Sequence, residues 1–180
     1  MTPLYFLTGN KGKLAEVQAI LGDFIEGLDI DLPEIQEIDA HKIIKAKLEE
    51  AQKHHKGEFI VEDTSLYFEA MNGLPGPLIK WFMKTVGNDG LYKMITVFGN
   101  FNAEAKTIIG HSDLDGNIEF FEGAVKGTTV SPRGTGFGWD PIFQPEGYSK
   151  TFGELTAEEK NSFSMRKLAL EKLKKHLTLK

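Results

Sequence analysis

The sequence predicts an α/β protein that has a mixed sheet with flanking helices, an added β-hairpin lobe, and an active-site cleft between the two lobes. In roughly the first 60 residues, short apolar runs alternate with stretches of helical periodicity, the pattern of strands joined by helices. Further along, two β-like runs joined through Asp115-Gly116 indicate an antiparallel hairpin. The 180 residues contain no repeat, linker or low-complexity stretch, so we expect one domain over residues 1–180.

The first half of the chain predicts strand, helix, strand, helix and strand in that order. The helices show apolar side chains at helical spacing, as at Leu14, Val17 and Leu21. Glu62 and Asp63 are predicted to follow the carboxyl end of the last strand, where open α/β sheets place their ligands. The expected elements are a strand over Pro3–Thr8, a helix after Asn10, a strand over Phe24–Leu32, a helix from Asp39 to Lys56 and a buried strand over Phe59–Val61.

The second half is predicted to begin with a rigid loop. Gly73–Pro77 holds two prolines and two glycines, which we expect to exclude both ladder and helix pairing. Thr156 and Glu159 have the spacing of a capping box, so a last helix is expected to begin there. The other expected elements are helices over Leu78–Val86 and Asp89–Val97, strands over Thr107–Leu114 and Asn117–Val125, a glycine-rich loop over Ser131–Asp140, and one apolar helix face formed by Phe163, Leu170, Leu173 and Leu177.

The composition excludes several kinds of partner. Lysine and arginine number 21 against 26 aspartate and glutamate, a net charge of −5, so no basic face for DNA or RNA is expected. No apolar run approaches the roughly 18 residues of a membrane span, and the first residues show no signal-segment pattern. The chain has no cysteine, which excludes disulfides and thiolate metal sites. We therefore expect a cytoplasmic protein without membrane or nucleic-acid partners.

A short polar loop separates the first strand from the first helix. It consists of Thr8, Gly9, Asn10, Lys11, Gly12 and Lys13, and the backbone N–H groups at such a helix start can bind phosphate. It is not the P-loop of kinases and GTPases, which needs G-x-x-x-x-G-K-[ST], because Gly9 and Gly12 are only three apart and Leu14 follows the lysine. An ordinary capped turn is the alternative.

Three carboxylates lie near predicted strand ends. They are Glu34, which follows Leu32-Pro33, and the adjacent Glu62 and Asp63. Carboxylate oxygens are ligands that Mg²⁺ prefers, so the pattern favours a metal site. Neighbouring residues of a strand point to opposite faces, so one acid of the adjacent pair would bind metal or water directly and the other would support it. The alternative is that all three are solvated loop acids.

A segment of the glycine-rich loop has the residue types of a nucleobase pocket. Phe137, Gly138, Trp139 and Asp140 provide aromatic faces for stacking and an acid for edge hydrogen bonds. The alternative is a corner of the hydrophobic core in which both aromatic side chains are buried.

Together, six segments in this order resemble the inosine triphosphate pyrophosphatase family, which hydrolyses deaminated purine nucleoside triphosphates. They are Thr8–Lys13, Leu32–Glu34, Val61–Thr64, Gly73–Lys80, Phe137–Phe143, and Thr151-Phe152 through Glu159-Lys160-Asn161 to Arg166. The resemblance implies a two-lobed mixed α/β sheet, a homodimer, and conversion of ITP, dITP or XTP to the monophosphate and pyrophosphate. It also implies Mg²⁺ and attack of water on the α-phosphorus, a reaction that needs a metal, cations and a positioned water rather than a covalent nucleophile.

The resemblance also implies a role for each matching residue. Asp63 would accept the proton of the attacking water, and Glu34 and Asp63 would bind Mg²⁺ with Glu62 beside them. The polar loop would hold the triphosphate, Lys47 and Lys80 would add cations, and Thr64 would touch the substrate. The loop over residues 137–140 would form the base pocket, with Lys160 and Arg166 reading the base or closing over it. The implied substrate contacts are Thr8, Gly9, Asn10, Lys11, Gly12, Lys13, Lys47, Thr64, Lys80, Phe137, Gly138, Trp139, Asp140, Lys160, Met165 and Arg166.

One position departs from the family pattern. The family usually has Ser-His-Arg where this chain has Ser164-Met165-Arg166, and that histidine is expected to donate a hydrogen bond to the 6-keto oxygen of the base. Methionine cannot donate. We therefore predict the same reaction with looser discrimination against the standard purines.

Two other interpretations stay open. Maf-like pyrophosphatases, which act on pyrimidine or modified nucleotides, are structurally similar, although Gly73–Pro77 and Phe137–Asp140 are not their pattern. A nucleotide-binding module without activity would also explain the polar loop, and Met165 could mark a loss of activity. The chain retains the residues implied to bind phosphate and metal, which argues against such a module. They are Lys13, Glu34, Asp63 and Lys80.

Overall fold

The structure, a computed structural model, describes residues 4–178, and within that range it contains seven strands and six helices. The strands are β1 (Leu4–Leu7), β2 (Ile25–Leu28), β3 (Glu58–Phe68), β4 (Pro75–Gly76), β5 (Asn102–Ser112), β6 (Ile118–Thr129) and β7 (Phe143–Pro145). The helices are α1 (Lys11–Leu21), α2 (Ala40–His54), α3 (Ile79–Thr85), α4 (Gly87–Phe98), α5 (Ala157–Phe163) and α6 (Met165–Thr178). Pro3, the predicted first residue of the first strand, lies outside the described residues. Within residues 4–178, no helix has both the length and the apolar character that crossing a membrane requires.

The strands form one mixed sheet in the order β2-β1-β3-β5-β6-β7, and β4 pairs with β3 outside this order. Strand β1 is parallel to both of its neighbours, with Tyr5 opposite Glu26 on one side and Phe59 on the other. Strands β4 and β7 are antiparallel to β3 and β6. The predicted mixed α/β fold is therefore confirmed.

The chain forms two compact units. The first unit comprises the residues up to Asp63, Thr107–Gly123, and the residues from Lys167 onward. The second unit comprises Thr64–Lys106 and Ala124–Arg166. Strands β3, β5 and β6 each contribute residues to both units. The single domain over residues 1–180 and the cleft between two lobes stay predictions.

In the first unit, helices cover both faces of the strands. Alternate residues point to opposite faces, so Phe6 and Ile60 pack with α1 and α6 while Phe59 and Val61 pack with α2. Apolar residues on both faces are typical of a parallel sheet covered on each side. Helix α2 begins after Asp39, where the sequence predicts its start, and Asp39 caps it because its side chain accepts the His41 N–H at 3.0 Å.

In the second unit, one core joins the strands to α3 and α4. Leu66 and Phe68 of β3 pack in the same cluster as Leu91 and Ile95 of α4. Three aromatic side chains complete this cluster, namely Trp139, Phe143 and Phe152. The two helices predicted after the prolyl loop are confirmed as α3 and α4.

Strand β3 is longer than the sequence predicts. It runs from Glu58 to Phe68, so Glu62 and Asp63 lie within the strand and not after its carboxyl end. Residues 65–68 include two aromatic residues, and three of the four are buried, which favours continuation of the strand. The prediction that the two acids follow the strand end is therefore wrong.

Two other short segments also differ from the predictions. Strand β2 ends at Leu28 rather than Leu32, because Asp29, Asp31 and Pro33 disfavour strand pairing. Conversely, Pro75–Gly76 does pair with β3, although the prolines were predicted to exclude it. A proline on a strand edge lacks only its N–H and can still pair through its carbonyl oxygen.

The connection between β5 and β6 is organised by a carboxylate. The hairpin prediction places a two-residue turn at Asp115-Gly116. In the structure, β5 ends at Ser112 and β6 begins at Ile118. The Asp113 carboxylate accepts the backbone N–H of Asp115 at 3.0 Å and of Asn117 at 2.9 Å. These bonds stabilise a five-residue connection over 113–117, which is longer than the predicted two-residue turn.

The predicted continuous helix face at the carboxyl end of the chain is wrong. Ser164 is extended, with φ −60° and ψ 154°, and separates α5 from α6. Phe163 packs against the core of the second unit, while Leu170 and Leu173 belong to the first. Serine competes for backbone hydrogen bonds and favours helix ends, which accounts for the interruption.

The capping box at α5 predicts a measurable titration. The Glu159 carboxylate accepts the Thr156 N–H at 2.7 Å, and this backbone hydrogen bond is the largest cause that lowers the pKa of Glu159 below 4.5. Because the folded-state pKa is depressed, the stabilisation is present above the unfolded-state pKa and is lost as the pH falls through the folded-state pKa. We expect the NMR signal of the Thr156 amide to titrate below pH 4.5, and Glu159→Gln to abolish that titration. A Thr156 amide that does not titrate would contradict this assignment.

Candidate active site

The polar loop after β1 is a capped helix start. Thr8 Oγ1 accepts the Asn10 N–H at 3.1 Å, and Asn10 Oδ1 accepts the Lys13 N–H at 3.1 Å. Lys11 and Lys13 therefore lie in the first turn of α1, which contains no acidic residue. Cations at the positive end of a helix dipole are unfavourable unless an anion is present, so this turn suits an anionic ligand. The capped turn and the anion site are compatible.

The polar loop meets the carboxylates of β3 through an ion pair. Phe6 pairs with Ile60, so β1 ends beside the residues that precede Glu62. Lys13 Nζ lies 2.8 Å from Glu62 Oε1, and the Glu62 side chain is 3% exposed. A buried carboxylate needs a partner of opposite charge, so this pair fixes the first turn of α1 against β3.

A second ion pair joins two other predicted site residues. Lys47 of α2 places its Nζ 3.1 Å from Glu34 Oε1. Glu34 lies in the irregular segment between β2 and α2, and its carboxylate is about half exposed. The first unit therefore pairs each of two predicted phosphate-binding lysines with a predicted metal ligand.

The donor set of the first unit fits a metal of the magnesium type. Asp63 is half-buried and adjacent to Glu62 on β3. Among residues 4–178, no group of three or more histidine, aspartate or glutamate side chains forms a metal cage. Mg²⁺ is usually bound by one or two protein carboxylates, with water and substrate phosphates as the other ligands, so a complete protein cage is not required.

Asp29 is a residue of the site that the sequence does not predict. A Cβ atom built on Gly9 would lie 2.9 Å from both carboxylate oxygens of Asp29, so a larger residue at position 9 would require the exposed Asp29 side chain to move. Asp29 reaches the polar loop because Thr8 donates its N–H to Leu28 at 3.2 Å, beside the end of β2. Its position depends on the pairing of β1 with β2, and the parallel neighbours of a strand cannot be derived from local sequence.

The predicted base loop of the second unit is organised around Asp140. Lys160 Nζ donates to both Asp140 oxygens, at 2.7 and 2.6 Å, and the Phe137 N–H donates to Oδ2 at 3.1 Å. The Asp140 side chain is 8% exposed. The structure therefore brings Lys160 and Asp140 together, and their ion pair fixes the loop.

The two aromatic residues of this loop lie in different environments. Trp139 is 7% exposed and packs edge-to-face on Phe143, with ring centroids 5.7 Å apart. Phe137 is 78% exposed. The core-corner alternative therefore describes Trp139, while Phe137 is the aromatic face that a ligand can reach.

Met165 belongs to the hydrophobic core of the second unit. It is 4% exposed and packs in the cluster that contains Phe152 and Trp139. The neighbouring Arg166 is half-buried on α6. An apolar side chain at this position gains stability from burial that a histidine donor would not.

The remaining predicted contacts, Thr64 and Lys80, are placed on separate elements. Thr64 follows Asp63 on β3 and is half-buried. Lys80 lies in α3, with its Nζ 5.8 Å from the centroid of the Trp81 ring. Both roles stay predictions.

Known proteins resemble this chain in sequence and in fold. The model of the Ham1 family matches residues 4–176. An inosine triphosphate pyrophosphatase of Schizosaccharomyces pombe is 48% identical over 178 residues, 97% of this chain and 94% of the relative. Two solved structures are similar. A HAM1 protein of Coxiella burnetii has a TM-score of 0.88 and 25% identity over the whole of both chains. A nucleoside-triphosphatase, or dITP/XTP pyrophosphatase, of Mycobacterium abscessus has a TM-score of 0.75 and 29% identity over 94% of this chain and 97% of that one.

These matches extend over nearly the whole chain and confirm the family resemblance of the six sequence segments. By sequence and by fold, the chain belongs to the Ham1 family.

Proposed function

We propose that this protein hydrolyses the deaminated purine nucleoside triphosphates ITP, dITP and XTP to the monophosphate and pyrophosphate. The predicted hydrolase class is confirmed by membership of the family and by relatives that carry the name inosine triphosphate pyrophosphatase. The observation that carries the proposal is the ion pair between Lys13 and Glu62, which joins a helix start suited to phosphate to a strand of carboxylates.

The first unit supplies the groups that bind the triphosphate. The free N–H groups at the start of α1 donate to phosphate oxygens, with Asn10 fixing their orientation. Lys11, Lys13 and Lys47 add positive charge, and Lys80 of the second unit is assigned the same role. Because charge builds on the phosphoryl oxygens during transfer, cations held in fixed positions lower the barrier.

Asp63 is assigned as the proton acceptor. Its carboxylate can take a proton from the water that attacks the α-phosphorus, while the neighbouring Glu62 is held by Lys13. Glu34 and Asp63 would hold Mg²⁺, with Glu62 beside them. A bound Mg²⁺ supplies a positive charge that stabilises the negative charge of the transferring phosphoryl group.

The second unit is assigned to base recognition. Phe137 presents an exposed ring for stacking, with Gly138 beside it and Trp139 supporting the loop from the core. Lys160 and Arg166 supply donors for the 6-keto oxygen. Both oxygens of Asp140 accept hydrogen bonds from within the loop or from Lys160, so its main role is to hold the loop.

We further propose that residues 1–180 act as one pyrophosphatase domain, that the enzyme is a homodimer, and that it works in the cytoplasm. The mass of the protein in solution tests the dimer, because a monomer of 20.1 kDa and a dimer are readily separated.

The first experiment is pyrophosphate release with Mg²⁺ from ITP, XTP, dITP, GTP, ATP and a pyrimidine triphosphate. We expect the protein to hydrolyse ITP and XTP. Its preference for ITP over GTP and ATP should be weaker than that of the Met165→His variant, because methionine cannot donate to the 6-keto oxygen. Equal ITP preference in the two proteins would contradict the role of Met165. A preference for the pyrimidine triphosphate would favour a Maf-like specificity, and nucleotide binding without hydrolysis would favour an inactive binding module.

A further inference from the structure

Asn88 of α4 makes a long-range hydrogen bond to the base loop. Its Nδ2 donates to the backbone carbonyl of Gly138 at 3.1 Å, across 50 residues of sequence. Gly138 has φ +60°, a left-handed conformation that favours glycine, so its peptide group has an orientation that most residues would not adopt. The bond fixes the orientation of the Gly138 carbonyl, which lies between Phe137 and Trp139 in the chain.

The exposed Phe137 is therefore held on both sides. The Phe137 N–H donates to Asp140 Oδ2 at 3.1 Å, and the carbonyl of the next residue, Gly138, accepts from Asn88 Nδ2. Asp140 is in turn held by Lys160. Without the Asn88 bond, the Gly138 carbonyl would lose its side-chain donor, and its peptide group could rotate together with Phe137.

The other polar atom of Asn88 indicates that the bond contributes little net stability. Its Oδ1 is buried and has no hydrogen-bond partner among residues 4–178. A buried acceptor without a partner is unfavourable and offsets the gain from the bond made by Nδ2. Removal of the whole amide should therefore change the free energy of unfolding only slightly.

We propose that Asn88 is a positioning residue for nucleobase binding, which acts by orienting the Gly138 peptide so that Phe137 can stack on the base. The proposal rests on the proposed function, since it assigns the base to this loop. Asn88 touches neither the phosphate-binding helix start nor any predicted metal ligand in the hydrogen bonds of the described chain.

The test compares Asn88→Ala and Asn88→Asp with the unchanged protein. We expect the KM for ITP and the Kd for IMP to rise about five- to tenfold in Asn88→Ala, the effect of losing one hydrogen bond, with kcat within about twofold. Asn88→Asp keeps the shape but places carboxylate oxygens against the Gly138 carbonyl oxygen, so its effect should be at least as large. The Kd for inorganic pyrophosphate, which has no base, should not change.

Asn102→Ala is the matched control, because Asn102 Nδ2 also donates within the second unit, to Glu69 at 2.9 Å, away from the loop. It should leave the Kd for IMP unchanged. The proposal is overturned if Asn88→Ala raises the Kd values for IMP and pyrophosphate equally, if it changes neither, or if the Tm falls in proportion to the loss of affinity. If the protein binds IMP but does not hydrolyse ITP, the proposed function fails and the IMP comparison still decides the role of Asn88. If it binds no purine nucleotide, both proposals fail.

Discussion

Replacing Asp63 by asparagine is expected to lower kcat for ITP hydrolysis by about 1000-fold while the protein remains folded. Asparagine has nearly the same shape, so the half-buried site on β3 should be preserved, but its amide cannot accept a proton from the attacking water. The loss would also include weaker binding of the metal. The measurement is the initial rate of pyrophosphate release at saturating ITP and Mg²⁺.

Asp115→Asn is the matched control for Asp63→Asn. Asp115 is exposed in the connection between β5 and β6, so the same chemical change there should leave kcat unaltered. Retention of more than about a tenth of the activity by Asp63→Asn would exclude the carboxylate as the general base. A pH–rate profile with Mg²⁺ and Mn²⁺ then separates its two roles, because an acidic limb that moves with the metal assigns the titration to the metal site.

Lys160→Met is expected to destabilise the protein by about 3–5 kcal/mol, because it leaves the buried Asp140 carboxylate without its cation. Asp140→Asn should cost less, since the half-buried Lys160 can turn toward water and the asparagine oxygen can still accept the Phe137 N–H. Urea unfolding monitored by tryptophan fluorescence gives both values.

The double variant tests the cause of this asymmetry. In Lys160→Met combined with Asp140→Asn no unpaired charge remains, so it should be more stable than Lys160→Met alone. Lys93→Met, at an exposed position of α4, is the control for the loss of a lysine and should change stability little. A double variant that is as unstable as the sum of the single changes would show that burial of the charge is not the cause.

The sequence predicts much of the fold because hydrophobic periodicity is local. The α/β class, the two helices after the prolyl loop and the start of α2 at Asp39 all follow from local sequence and are confirmed. The break at Ser164 is not predicted, because Phe163 and Leu170 have helical spacing and yet pack in different units. Periodicity shows that a residue is buried but does not show against which core.

The sequence predicts which residues belong to the candidate site but not which of them form ion pairs. Six charged residues are identified from sequence as candidates, but the three ion pairs that they form depend on tertiary contacts. The pairs are Lys13 with Glu62, Lys47 with Glu34, and Lys160 with Asp140. The same limit explains why Trp139 and Phe137, two residues apart, differ so strongly in exposure. Asn88 and Asp29 give no local signal, since each acts on a loop that is distant in sequence.

We expect the ion pair between Lys13 and Glu62 to disfavour the binding of simple anions at the Lys13 side chain. A free ion such as chloride or inorganic phosphate would have to draw Lys13 away and leave a buried carboxylate uncompensated, which is strongly unfavourable. A nucleoside triphosphate that arrives with its own divalent cation would offer a new partner to both Lys13 and Glu62 and so would avoid that loss. With Glu62 as an internal counter-ion, we therefore expect metal-bound polyphosphates to bind more tightly than chloride or inorganic phosphate.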